Sequence, residues 1–105
     1  MDDDDACVII ELDGVSLPDE VYAQCDLGEL ERRLEDRLAE TRAGKRDGHE
    51  RGPQTVRIFL YGADADALLE AIRPVLKAYQ LCQGAVIELR QDARFERFPL
   101  APTRH

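Results

Sequence analysis

Hydrophobic and polar residues alternate from Thr55 to Tyr61, with Val56, Ile58 and Leu60 on one side of an extended chain and Arg57, Phe59 and Tyr61 on the other. Successive strand side chains point to opposite faces, so this is the pattern of a half-buried strand. After Gly62 the period changes. Leu68, Leu69, Ile72, Val75, Leu76 and Tyr79 recur at helical spacing, and Asp64 or Asp66 is placed to cap the first turn. Pro74 falls inside this pattern; it lacks an N–H and crowds the carbonyl of Glu70, which predicts a kinked or divided helix. Gly84 precedes another strand, Ala85 to Arg90, with Ala85, Ile87 and Leu89 on one face.

The first half repeats the scheme. Ala6 to Leu12 alternates Val8, Ile10 and Leu12 against Cys7, Ile9 and Glu11, and Asp13-Gly14 ends the strand. Val15 to Cys25 reads as a connection containing Pro18, with room for one short helical turn around Asp19 to Ala23. Asp26 with Glu29 makes a capping-box pattern ahead of a helix to Ala43, striped by Leu27, Leu30, Leu34 and Leu38 and stopped by Gly44. Lys45 to Arg51 has no aliphatic or aromatic residue, so it is predicted as a charged edge strand around the Asp47-Gly48 turn signal, closed by Gly52-Pro53. The order βα, weak β, βαβ is the ferredoxin-like βαββαβ plan: an α+β sandwich of two helices on a four-stranded antiparallel sheet. This places a single domain over residues 6–90, a disordered acidic tail at 1–5 and an extended tail carrying Phe95 and Phe98 at 91–105.

Charge narrows the function. The chain has 105 residues, 44% of them hydrophobic, and a formal charge of -8. That is one domain with enough apolar material for a core and with the wrong sign for general phosphate binding, so neither nucleic acid nor an anionic membrane is expected as a partner. Residues 1–50 carry sixteen acidic and six basic side chains, whereas 51–105 carry six and eight. An acidic end and a mildly basic end suit head-to-tail contact or a basic partner. Cys7, Cys25 and Cys82 are widely spaced and only His49 and His105 supply imidazoles, a poor basis for zinc, so neither metal nor cofactor is expected. With no apolar run of about 18 residues and no leader pattern, the expected location is cytoplasmic.

Candidate chemistry is sparse. Asp47, His49 and Glu50 put two carboxylates and an imidazole within four residues, the raw material of acid–base work, but a strand turns Glu50 away from the other two. Asp64 and Asp66 resemble a ligand loop only superficially, since paired aspartates repel phosphate and helix capping accounts for them. The leucine-striped segment from Leu27 to Leu38, the run Gly44-Lys45-Arg46-Asp47-Gly48-His49-Glu50 and the stretch FLYGADADALLEAIRPVLKAY from Phe59 to Tyr79 resemble a family of small uncharacterised bacterial proteins. The likeness spans Leu27 to Arg90. It implies the ferredoxin-like fold and carries no activity, and Arg46 stands where the family pattern has an aromatic residue before Asp-Gly.

The most specific surface follows from alternation. If the aliphatic faces meet the helices, Cys7, Ile9, Glu11, Arg57, Phe59, Tyr61, Val86, Glu88 and Arg90 share the other side of the sheet. Ile9, Glu11, Arg57, Phe59, Tyr61, Val86 and Arg90 are the predicted interaction surface, with the aromatics buried in a homodimer or against a protein partner. The alternative cover is the C-terminal tail, with Phe95 and Phe98 folded back over the aromatics. No enzyme activity is expected. The predicted role is a protein-interaction module, of which an acidic inhibitor or immunity-type protein is one form; the alternative is a regulatory domain that binds a small ligand in a cleft near Gly14 or Gly62.

Overall fold

A computed structural model of the chain describes residues 6–13, 19–24, 26–79, 82 and 85–100. The acidic tail at residues 1–5, residues 14–18 of the connection after the first strand, Cys25, Gly84 and the end of the C-terminal tail at 101–105 lie outside the described residues. In chain order the elements are β1 (Ala6–Asp13), α1 (Asp19–Gln24), α2 (Leu27–Thr41), β2 (Gly44–Arg51), β3 (Thr55–Gly62), α3 (Ala65–Ala78), β4 (Val86–Gln91) and β5 (Arg94–Pro99). The fold is α+β: two long helices and a short one with an antiparallel sheet in the order β2-β3-β1-β4-β5.

The sheet has five strands rather than four. After Gln91 the chain turns through Asp92, whose φ is 54°, and returns as β5 alongside β4, where an extended tail was expected. Asp is one of the residue types that visit this left-handed conformation readily, and two residues are enough to reverse the chain.

The core lies between the sheet and the two long helices. Val8, Ile10 and Leu12 of β1, Ile58 and Leu60 of β3, and Ile87 and Leu89 of β4 are all buried, as predicted from alternation. Leu30, Leu34 and Leu38 of α2 and Leu68, Leu69, Ile72 and Leu76 of α3 cover them. The helices are also linked by polar contacts: Arg37 Nε donates to the Ala71 carbonyl at 2.8 Å, and Tyr79 Oη donates to the Asp26 carbonyl at 2.8 Å. Asp26 holds the N-cap position of α2 without a side-chain hydrogen bond, and Glu29 pairs with Arg32 and Arg33 instead of closing a capping box. Asp64 does cap α3, accepting from the Asp66 N–H at 3.1 Å.

Three further expectations are corrected. Helix α3 is not divided: it continues through Pro74, because Pro74 and Glu70 face solvent and water can satisfy the orphaned carbonyl. The stop after α2 is made by Arg42 at φ 58°, not by Gly44. Gly44 serves close approach instead: it pairs with Gly62, and a Cβ there would lie 2.1 Å from the Tyr61 carbonyl oxygen. Asp47-Gly48 forms no turn between strands; it produces a register shift within β2, between Arg46 and Gly48.

Candidate interaction surface

Strand register arranges the side of the sheet away from the helices in three rows. Tyr61, Cys7, Arg90 and Phe95 form the first, Phe59, Ile9, Glu88 and Arg97 the second, and Arg57, Glu11, Val86 and Pro99 the third. Every residue of the predicted surface lies on this face. One of them is buried, Ile9 at 3% accessible, as is Glu88 beside it on the same face at 4%. Long arginine side chains lying over the sheet explain this, since their stems cover apolar neighbours while the guanidiniums stay near water.

Glu88 is the centre of the polar network. Arg90 Nη2 donates to it at 2.6 Å, Arg97 Nη1 at 2.9 Å and Arg57 Nη2 at 3.5 Å. Burial pushes the Glu88 carboxyl up, but the hydrogen bonds from Arg90 and Arg97 and the nearby positive charges outweigh it and hold the group below its ordinary value. Arg97 also reaches Glu11 at 3.2 Å, so one residue of β5 joins carboxylates on β1 and β4. Arg57 approaches Glu11 only at 3.9 Å, and its Nε is a buried donor without a hydrogen-bond partner. Guanidiniums also lie against rings, with Arg57 5.9 Å from the Phe59 centroid and Arg90 5.5 Å from that of Phe95.

Burial raises the Cys7 thiol pKa against the opposing hydrogen bond to Tyr61, and the Cys7 sulfur followed by burial raises that of the Tyr61 hydroxyl. Both groups are therefore neutral near pH 7. Across the whole face Lys45, Arg57, Arg90 and Arg97 offset Glu11, Asp13, Glu50 and Glu88, leaving it close to neutral in a chain of charge -8.

Among the described residues the alternative cover, Phe95 and Phe98 folded back over the aromatics, is not formed. Phe98 points to the helix side and packs against the core, and Phe95 extends the open face sideways at 59% exposure instead of covering Phe59 and Tyr61. Sequence reasoning missed Phe95 and Arg97 as members of the surface. The one available signal was Asp92-Ala93, two residues able to turn the chain after a strand, because Arg94 to Pro99 has no clean apolar alternation.

The acid–base trio is dispersed. His49 faces α2, its Nδ1 2.7 Å from Glu31 Oε2, while Glu50 lies opposite Arg57 in the strand register on the open face and Asp47 sits at the register shift. Arg46, in the position expected for an aromatic, also turns to α2 and binds Glu31 at 3.0 Å and Glu35 at 2.5 Å. These contacts clasp the edge strand to the helix. Among the described residues no three His, Cys, Asp or Glu side chains converge as a metal site, and no helix is long and apolar enough to cross a membrane. Of the two glycines proposed to flank a cleft, Gly62 approaches Ala43 closely, since a Cβ there would lie 2.2 Å from the Ala43 carbonyl oxygen, and Gly14 lies outside the described residues. No family model, curated protein or solved structure matches this chain.

Proposed function

We propose that this protein is a non-enzymatic interaction module of ferredoxin-like plan, working through the open sheet face and its β5 border, with a second copy of the chain as its simplest partner. The order β2-β3-β1-β4 with two helices on one side supports the plan, to which β5 is an addition. The observation that carries the functional reading is the makeup of the face: three arginines and three aromatics around the buried Ile9, in near-neutral balance. Arginine and aromatic side chains are the types enriched at protein contacts. Two copies charged -8 repel through most of their surfaces and meet at least cost where that charge vanishes. At about 4.8 Å between strands and about 3.3 Å per residue, the sheet offers roughly 500–600 Å² per copy, near the lower end of stable interfaces.

Static light scattering over a concentration series tests this reading. A mass that rises from monomer to dimer supports it; a monomer at every concentration overturns it. Where the middle of the face makes the contact, Phe59→Asp and Tyr61→Asp abolish the dimer while the helix-facing core and its circular dichroism are preserved.

A further inference from the structure

We infer that two copies of this chain pair along the free edge of β5, across a two-fold axis at Glu96 perpendicular to the sheet, and so form one continuous ten-stranded sheet. This rests on the self-association reading and specifies where the copies meet.

The backbone identifies the edge. Leu100 N–H donates to the Ala85 carbonyl at 2.8 Å, which makes these two a hydrogen-bonded pair at the end of the β4–β5 ladder. Antiparallel pairing alternates, so Phe98, Glu96 and Arg94 also turn their backbone groups toward β4, and Phe95, Arg97 and Pro99 turn theirs outward. Strand β5 is last in the sheet order, and no described strand lies beyond it. Pro99 has no N–H, leaving Phe95 and Arg97 as the outward donors.

One register matches these groups to themselves. With the axis at Glu96, Phe95 of each copy lies opposite Arg97 of the other, and each pair exchanges two backbone hydrogen bonds, four in all. On the open face the same pairs set the exposed Phe95 ring beside a guanidinium. On the helix side the two Glu96 carboxylates face each other, each held by its own Arg94 Nε at 2.5 Å, from a guanidinium that also forks onto Asp66. Neighbouring registers fail. Centring on Arg97 opposes two guanidiniums and sets Phe95 against Pro99, and centring on Phe95 sets Arg97 against Ala93 in the turn. The opposite edge is protected by charge and by the register shift in β2, so pairing stops at a closed dimer.

Two variants test the edge. Phe95→Pro removes an outward donor that the β4–β5 ladder does not use, and should weaken the dimer by about tenfold or more in sedimentation equilibrium with its far-ultraviolet circular dichroism retained. Glu96→Cys, in a background with Cys7→Ser and Cys25→Ser, places two thiols opposite each other at a Cα separation of about 4.5 Å. Oxidised glutathione should then give a disulfide-linked dimer on a non-reducing gel, whereas Glu50→Cys in the same background should not. A wild type that is monomeric throughout overturns both this inference and the proposed function. A wild-type dimer that Phe95→Pro leaves unchanged, or that Glu96→Cys does not cross-link, overturns the edge pairing alone, and loss of that dimer with Phe59→Asp relocates the contact to the middle of the face.

Discussion

Glu88 shows how a single residue can be buried on the side of a sheet that faces away from the core. Its carboxylate is covered by Arg57, Arg90 and Arg97, and their hydrogen bonds and charges outweigh the cost of burial. Because the folded state holds this group below its ordinary pKa, near 4.3, the stabilisation is complete above that value and is lost as pH falls through the lower folded value. Urea denaturation should therefore show stability nearly constant from pH 7 to about 5 and falling below about pH 4. Glu29 and Asp66 are depressed too, through hydrogen bonds from Arg32 and Arg94 respectively, so the comparison with Glu88→Gln isolates the contribution of Glu88. That variant should lose about 1–3 kcal/mol at pH 7 and show a smaller further loss in acid. An equal acid loss in wild type and variant would show that the network adds no pH-dependent stability.

Among the elements, α3 carries the clearest local penalty. Pro74 interrupts the hydrogen-bond ladder of a 14-residue helix, yet the helix continues because Leu76 and the residues before Pro74 are fixed in the core. Pro74→Ala restores a backbone donor and relieves crowding at Glu70, against a smaller entropic gain of the unfolded chain. Chemical denaturation should show stabilisation by about 1–2 kcal/mol. A loss of stability instead would mean that the proline shapes the packing of α3 on the sheet. Strand β2 presents the reverse case, a segment without apolar residues that is nonetheless ordered as a strand. It pairs with β3 through backbone and is clasped to α2 by Arg46 and His49, contacts between residues 11 to 18 positions apart that no local pattern encodes.

For the whole molecule, the unequal distribution of charge governs association. Each copy carries -8, yet the open face is locally balanced and Arg94 offsets part of the Asp66 and Glu96 charge at the β5 border, so most of the repulsion comes from the remainder of the surface. Salt screens that repulsion over about 8 Å at physiological ionic strength and leaves a backbone-paired contact largely intact. Dimerisation measured by sedimentation should accordingly tighten as ionic strength rises from about 10 mM to about 500 mM. Weakening over that range would instead place opposite charges of the two copies in direct contact.

The sequence by itself determined which residues meet the helices: strict alternation in β1 and β3 and the leucine spacing of α2 leave one way to bury Val8, Ile10, Leu12, Ile58, Leu60 and the stripe from Leu30 to Leu38. It also determined the order of the first four strands along the chain and which residues of β1, β3 and β4 share the open face, because a period of two fixes both faces at once. Tertiary structure decided the rest. Arg94 to Pro99 has too little apolar content to announce a strand and becomes one through the ladder with β4, the Arg97 bonds to Glu11 and Glu88, and the Arg94 fork on Asp66 at 3.0 and 3.1 Å. Likewise Gly44 reads as a helix stop, and only its crossing with Tyr61 shows a position where a side chain has no room. Local patterns report which face a residue prefers; the partners of polar and charged side chains depend on distant strands and helices meeting, which only the folded chain brings about.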